Sequence, residues 1–156
     1  MGKGDVVSPG DAITAAKINL KAETFVAHIN LLPEGAQAGL AADTIGVKYA
    51  GKSLICPYSQ MLGRDDKVYI EASLVGSAAG IEVTVEIYDV TVSPAAVVAS
   101  YVWTGLPTAA PTRAISGNIA ANLTVGNEVQ VRFNVTTAVA AATFDANAAR
   151  LVVVGG

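Results

Sequence analysis

Side chains able to carry acid–base or metal chemistry are few in this sequence and stand far apart. His28 is the only histidine and Cys56 the only cysteine among the 156 residues. No serine, cysteine or aspartate stands at a spacing from His28 that indicates a catalytic triad. The pair Asp65-Asp66 has the residue types of a metal or acid–base site, but basic residues flank it on both sides, which is typical of a solvated loop. The sequence therefore predicts no enzyme, no metal site and no cofactor.

Three glutamates on predicted strands form the other candidate cluster. Glu71, Glu82 and Glu86 alternate with apolar residues, so their side chains are expected to face outward. On neighbouring strands these carboxylates would form an acidic patch, and Lys67 or Arg132 would neutralise part of it across the strands.

Composition limits the classes of partner. Hydrophobic residues make up 52% of the chain and charged residues 15%, with a net charge of −3. The basic residues are scattered, so we expect no nucleic-acid partner. No apolar run approaches the ~20 residues that span a bilayer, so we expect no membrane partner, and residues 1–5 do not resemble a signal peptide, which predicts synthesis in the cytoplasm. A hydrophobic excess of small residues suits a surface partly covered by copies of the same chain.

A predicted β domain must position these side chains. Beyond residue 32 apolar side chains recur at every second position, which is the spacing of strands. The clearest strands are 67–75, 81–92 and 128–137, and the pattern changes phase near Asp89, which predicts a bulge or bend there. Weaker segments complete the pattern: 45–50, 52–56, 96–104, part of 113–123, and 148–154, with 33–44 as a loop. About seven or eight strands without intervening helices predict a mainly β fold, an antiparallel β-sandwich of the jelly-roll type.

A helix-like stripe precedes this domain. Apolar residues at steps of three and four predict a helix from Thr14 to about Ile29, behind a flexible arm at 1–12. The stripe predicts an attachment or oligomerisation surface made of Ala15, Ile18, Ala22, Phe25 and Ile29. Residues 24–32 also alternate, so a strand stays open as the alternative for that segment. The chain is thus expected to divide into an N-terminal arm and helix at 1–29 and a jelly-roll domain at 30–156.

Several segments of the β domain resemble the galactose-binding-like jelly rolls found in many carbohydrate-binding modules. The resemblance rests on 30–33 (NLLP), 51–54 (GKSL), 67–89, 123–133 and 149–153. It implies a sandwich in which 67–89 forms the central hairpin, and it implies a sugar ligand. Such modules often bind calcium through several carboxylates. Here the opening loop 34–39 has a single acid and Asp145 has no evident companion, so we predict no calcium site.

A sugar site needs exposed aromatic side chains beside polar groups. The candidates for glycan contacts are Tyr58, Tyr69, Tyr88 and Tyr101. Trp103 and Cys56 stand in apolar runs instead, and both are predicted to be core residues.

Residues 9–19, PGDAITAAKIN, are similar to a phrase common in phage tail, fibre and head-decoration proteins, where it opens a short helix near an attachment region. This resemblance implies a structural virion subunit, a capsid decoration or fibre protein located in the virion. It would form a homo-oligomer, with a trimer favoured, and bind a capsid or fibre protein. Two alternatives stay open. One is a carbohydrate-binding module. The other is an extracellular filament subunit whose N-terminal segment adds as a strand to its neighbour.

Overall fold

The computed structural model describes residues 26–56 and 67–155. The regular secondary structure in this part of the chain is almost entirely β. It contains ten strands and one short 3₁₀ helix at Ala120–Asn122. The strands are β1 Val26–Asn30, β2 Gln37–Ala41, β3 Gly46–Ala50, β4 Leu54–Ile55, β5 Lys67–Gly76, β6 Glu82–Asp89, β7 Ala96–Trp103, β8 Thr112–Ile115, β9 Glu128–Thr137 and β10 Thr143–Val154. None of the described residues forms a helix long and apolar enough to cross a membrane.

Two antiparallel sheets of five strands each form a sandwich. One sheet has the order β1–β10–β5–β8, and β2 pairs with β10 beside β1. The other has the order β3–β9–β6–β7, and β4 pairs with β9 beside β3. β1 and β2 together form one row, and so do β3 and β4. Counted in this way, the chain changes sheet at every connection except the β6–β7 hairpin, which is the double Greek-key order of a jelly roll. The predicted fold class is confirmed.

The core follows from the alternation in the longest strands. In β5 the side chains of Val68, Ile70, Ala72 and Leu74 are at most 1% exposed. Val83, Val85 and Ile87 of β6 face them from the opposite sheet and are fully buried. The aromatic rings of Phe133 and Phe144, from β9 and β10, meet edge to face with centroids 6.2 Å apart. Trp103 and Cys56 are also buried, as predicted, at 6% and 2% exposure.

The prediction of an N-terminal helix is wrong for residues 26–29, the part of the predicted helix that the structure describes. Val26–Asn30 is a strand, and it pairs antiparallel with residues 150–154 of β10. Its alternation of exposed and half-buried positions suits an edge strand with one face on the core. Ile29 therefore packs as a strand residue in the sandwich, as the open strand alternative for 24–32 required. The other four stripe positions lie outside the described residues: Ala15, Ile18, Ala22 and Phe25.

The predicted hairpin at 67–89 is also wrong. β5 and β6 belong to different sheets, so the turn between them is an arch that carries the chain across the core. Period-two patterning shows that a segment is a strand but not which strand is its partner, which is the physical reason for the error. Two strands differ from the prediction in extent. β2 lies inside the expected loop 33–44, where no strand is predicted, and β10 begins at Thr143 rather than at 148. The change of phase expected near Asp89 coincides with the end of β6. The bulge in this region belongs to β7, where Val98 is the extra residue opposite Ile87 and Tyr88.

Candidate functional site

The β7 edge, Ala96–Trp103, is an open edge of its sheet. β7 pairs with β6 on one side and with no other strand of the described residues. Backbone N–H and C=O groups of alternate residues therefore point away from the sheet, where another strand can pair with them. None of these eight residues is charged, and the side chains of Val97 and Val102 are each 44% exposed. These are the properties that make a strand edge adhesive.

The opposite edge of the same sheet is built differently. It is split into β3, with five residues, and β4, with two. The β3–β9 register shifts between Val47 and Tyr49, so Lys48 is the extra residue of a bulge. Lys52 follows in the gap before β4 and pairs with Glu34 at 3.9 Å. Short strands, a bulge and lysines are the devices by which proteins protect an edge from unwanted pairing.

The edges of the second sheet are also short. β1 and β2 have five residues each, and Gly39 of β2 adopts a left-handed backbone with φ +65°. The N–H of that glycine donates to the Asp145 carboxylate at 2.8 Å, a hydrogen bond that the sequence did not reveal. On the other side β8 has four residues and carries Arg113. Among the described strands, β7 thus combines the greatest edge length with the absence of charge.

A cleft of about 270 Å³ lies behind one end of the β7 edge. We call it the β7 cleft, and its lining consists of Tyr101, Val102, Trp103, Thr104, Gly105, Leu106, Pro107 and Ala114. Ala114 belongs to β8 of the other sheet, so the cleft is the gap between the two sheets on the side where both end. No lining residue is charged.

Two aromatic rings form the inner wall of the β7 cleft. Tyr101 and Trp103 stand on the same face of β7, opposite Val85 and Val83 of β6. Their rings meet edge to face with centroids 4.7 Å apart, an arrangement that aromatic quadrupoles favour. The indole N–H of Trp103 is buried and finds no hydrogen-bond acceptor among the described residues. Buried indole N–H groups usually have a partner, so this donor marks the end of β7 as incompletely satisfied.

The floor of the cleft is held in place by the backbone. The N–H of Leu106 donates to the Ile81 carbonyl at 3.0 Å, and the N–H of Gly76 donates to the Pro107 carbonyl at 2.9 Å. A Cβ added at Gly76 would meet Ile81 Cδ1 at 3.0 Å and Leu106 Cβ at 3.2 Å, so a side chain here would require these neighbours to shift. The cleft is therefore a preformed feature of the fold.

The predicted acidic patch does not form. Glu71 lies on β5 and Glu82 and Glu86 lie on β6, in different sheets. Glu71 is 3% exposed and is paired by two arginines. One oxygen contacts Arg150 Nε, and the other lies 2.7 Å from Arg113 Nη2 without hydrogen-bond alignment. This cluster ties β8 and β10 to β5, so its role is structural.

The two β6 glutamates are occupied separately. Glu86 accepts a hydrogen bond from the Asn134 side-chain amide at 2.8 Å, and Glu82 accepts one from the Thr136 hydroxyl at 3.0 Å. Arg132 stands opposite Glu86 in the register, but its guanidinium lies over the ring of Tyr88, 4.2 Å from the centroid. The expected neutralisation by Arg132 is thus replaced by a cation–π contact.

Asp89 organises the corner where β6 ends. Its carboxylate is 1% exposed and accepts hydrogen bonds from the Thr91 and Val92 N–H groups at 2.8 and 3.2 Å and from the Asn127 side chain at 2.7 Å. Burial alone raises the pKa of Asp89, but the hydrogen bonds from Asn127 and the two backbone N–H groups outweigh it and hold the pKa below its usual value. The sequence showed only the change of phase here.

Tyr49 is on β3, at the edge of the sheet opposite to β7, and like Trp103 it has a buried polar atom without a hydrogen-bond partner among the described residues. Its ring stacks on Phe133 with centroids 5.7 Å apart, and its hydroxyl is buried with no hydrogen-bond partner among the described residues. Burial, followed by the charge of Glu34, raises the pKa of Tyr49. The hydroxyl therefore stays neutral throughout the physiological range.

The candidate glycan tyrosines do not share a surface. Tyr69 is on the outer face of β5, whereas Tyr88 is on the outer face of β6 in the other sheet and donates its hydroxyl to the Ala95 carbonyl at 3.1 Å. Only Tyr101 of these lines the β7 cleft, and Tyr58 lies outside the described residues, as does Asp65-Asp66.

His28 and the residue types that bind metals do not form a site in the described part of the chain. His28 is exposed on β1 opposite Val152. Within 26–56 and 67–155 no group of three His, Cys, Asp or Glu residues lies close enough to hold a metal ion.

Comparisons with known proteins add a likeness of fold. No family model matches the chain, and no curated protein matches it in sequence. The structure of the infectious bursal disease virus Gx strain is similar with a TM-score of 0.47 and 13% identity, over 86% of this chain and 32% of that chain. The crystal structure of the infectious bursal disease virus VP2 subviral particle is similar with a TM-score of 0.43 and 12% identity, over 85% of this chain and 33% of that chain. This chain therefore spans about a third of the length of those viral chains.

Proposed function

We propose that this protein is a non-enzymatic structural subunit of a virion, a capsid decoration or fibre protein that assembles through its strand edges. The observation that carries the proposal is the β7 edge, which is long, uncharged and backed by an uncharged cleft. An edge of this kind left open in solution invites association with another chain. The protein is then located in the virion, with copies of itself and a capsid or fibre protein as partners.

The rest of the described surface supports an assembly role. Large apolar side chains are exposed at several strand ends and edges, among them Ile45 at 72%, Ile55 at 63% and Val26 at 60%. Single exposed apolar residues are ordinary, but here they lie along the β3–β4 edge and at the start of β1 as well as on β7. Contact with neighbouring subunits would remove this surface from water.

The N-terminal stripe supplies the proposed attachment. Ile29 packs against the core of its own domain, so the attachment contacts fall to the four positions before it: Ala15, Ile18, Ala22 and Phe25. Residues 9–19, which resemble the phage phrase, lie in the same segment. We favour a trimer, with the jelly roll as the exposed head.

Light scattering of the full chain, coupled to size-exclusion chromatography, tests this proposal. We expect a defined oligomer at micromolar concentrations, with a mass that is a whole multiple of 15.8 kDa. A strict monomer up to about millimolar concentration, the range in which weak contacts of < 5 kcal/mol become populated, would overturn it.

A carbohydrate-binding module is the second candidate, because Tyr101 and Trp103 together line the β7 cleft. A glycan array with the full chain tests it, with Tyr101→Ala as the paired variant. Binding that is lost in the variant supports a sugar site, and an array without any binder rejects it.

The filament alternative is favoured by a different observation, the strand conformation of Val26–Asn30. Electron microscopy of negatively stained protein separates it from the first proposal. Open-ended filaments that lengthen with concentration support it, whereas closed oligomers of a single size support the virion subunit.

A further inference from the structure

Residues 16–23 have a sequence pattern that suits a strand able to cover the β7 edge. The sequence AKINLKAE places Ala16, Ile18, Leu20 and Ala22 at alternate positions, with polar or charged residues between them. This is the period-two pattern of a strand with one apolar face. Its length of eight residues equals that of β7.

We infer that residues 16–23 of one copy add as a strand to the β7 edge of a second copy and fill its β7 cleft. This inference rests on the proposed assembly function and names its contact. The added strand would continue the β3–β9–β6–β7 sheet by one row. The backbone groups that β7 presents outward would then be paired, as they are in the interior of a sheet.

The apolar face of the added strand fits the cleft. Side chains on the inner face of a strand beside β7 lie next to Tyr101 and Trp103, because neighbouring strands keep their faces aligned. Ile18 and Leu20 would therefore enter the uncharged gap between β7 and Ala114 of β8. A branched aliphatic side chain has the chemistry that such a lining accepts.

The polar face agrees with the charge next to β7. On the outer face of the sheet, β6 presents Glu82 and Glu86 beside β7. An added strand with its apolar residues inward directs Lys17 and Lys21 to that same outer face. Lys17 and Lys21 would stand two strand spacings from these glutamates, roughly 10 Å across β7, so the attraction between them is favourable but weak. A second β7 edge would bring no cation to this face.

Chain length requires the acceptor to be a different copy. β1 lies at the far side of its sheet from β8, three strand spacings away, which is roughly 14 Å, and the sheets of a sandwich lie roughly 10 Å apart. Three residue steps separate Glu23 from Val26 and span at most about 11 Å. Residues 16–23 of a given copy therefore cannot pair along its own β7.

Cysteine cross-linking between two singly substituted full-length proteins tests the contact. A Leu20→Cys protein is mixed with an Ala114→Cys protein and a short bismaleimide cross-linker, because facing sheets lie roughly 10 Å apart and a direct disulfide needs Cα atoms within about 7 Å. Cross-linked mixed dimers are quantified on denaturing gels. Asn19→Cys replaces Leu20→Cys in the matched control, because it stands on the opposite face. We expect at least tenfold more mixed dimer with Leu20→Cys. Equal yields from both donors, or none from either in a sample that is oligomeric, would overturn the inference.

Charge substitutions separate a strand from the helical stripe. Leu20→Asp is expected to lower the association constant of the full chain at least tenfold, and Ala15→Asp to change it less than twofold. The helical stripe predicts the reverse, since Ala15 belongs to it and Leu20 does not, so that result would overturn the strand contact while leaving the assembly proposal intact. Self-linking of a Ser100→Cys protein would show β7 pairing with β7 and would also overturn it. A wild-type chain that stays monomeric rejects both proposals.

Discussion

The two edges of the β3–β9–β6–β7 sheet are built from opposite choices of sequence. The β3–β4 edge is broken into two short strands, bulged at Lys48 and followed by Lys52. The β7 edge also has one bulge, at Val98, but it is a single strand of eight residues without a charge. Both edges belong to one sheet and share one core, so packing does not account for the difference. The comparison indicates that one edge is protected against pairing and the other is kept available for it.

The corner at Asp89, which connects β6 to β7, is where we expect the largest effect of a substitution. Replacing Asp89 by Ala leaves the Asn127 amide and the Thr91 and Val92 N–H groups without their acceptor. We expect the free energy of unfolding to fall by about 3 kcal/mol, the loss typical when several buried donors lose a charged acceptor. Urea unfolding measures it. A loss under about 0.5 kcal/mol would mean that the corner does not position β7.

The same carboxylate predicts a response to acid. Its folded-state pKa lies below the unfolded value, so the charged form contributes stability at pH values above about 4. That contribution is lost as the pH falls from about 4 through the folded-state pKa. Unfolding curves measured between these limits should be less pH-dependent in Asp89→Asn than in the wild type, and identical slopes would contradict the assignment.

The β8 edge lies on the same side of the sandwich as β7. We expect its contribution to stability to depend on the ion pairs of Glu71. Glu71→Ala removes the carboxylate that holds Arg113 and Arg150, whose side chains are 66% and 31% exposed. Because both arginines can turn toward water, we expect a loss of about 2 kcal/mol, below the cost of stranding a fully buried charge. Thermal unfolding checks this, with Glu128→Ala on the exposed end of β9 as the control. Equal effects of the two changes would remove the special role of Glu71.

Transferring protection from one edge to the other tests the comparison directly. Tyr101→Lys places an inward-pointing ammonium at the mouth of the β7 cleft, a device that blocks strand pairing. We expect self-association to weaken at least tenfold, about 1.4 kcal/mol, while Tyr101→Met associates more strongly than Tyr101→Lys. In the reverse direction, Lys48→Val should increase association or precipitation. Unchanged masses for both exchanges in light scattering would show that edge charge is irrelevant here.

The smallest expected effect lies on the protected side. Tyr49→Phe removes a buried hydroxyl that has no partner among the described residues and keeps the ring that stacks on Phe133. We expect a change within about 0.5 kcal/mol near neutral pH, neutral or slightly stabilising, because no hydrogen bond is lost. The raised pKa of Tyr49 means that wild-type stability falls as the pH rises above about 10, where the unfolded tyrosine ionises. Tyr49→Phe should lack that fall.

Much of this fold could be predicted from alternation. β5, β6 and β9 show the pattern clearly, because apolar residues alternate with polar ones along each strand. In β5 and β6 some of those polar residues, Glu71, Thr84 and Glu86, are buried as well. β2 was missed because its sequence, QAGLA, contains no β-branched or aromatic residue and includes a glycine at positive φ. Val26–Ile29 fits helical and strand spacing equally well over so few residues, and pairing with β10 decides it.

The candidate site was much harder to predict. Tyr101 and Trp103 stand out by type, and Trp103 was correctly placed in the core. Their position at an open edge depends on the order of strands in the sheet, which local patterning does not specify. The absence of charge across Ala96–Trp103 was the available signal, and it gains its meaning only when that strand is known to be an edge.

Hydrogen–deuterium exchange of the full chain at low and high protein concentration tests the central claim most directly. If β7 accepts a strand from another copy, amide exchange within 99–103 should slow at least tenfold on assembly, because outward N–H groups become paired. Exchange in Gly46–Ala50 of β3 should stay unchanged in the same samples. Slower exchange in β3 with none in β7 would contradict the account.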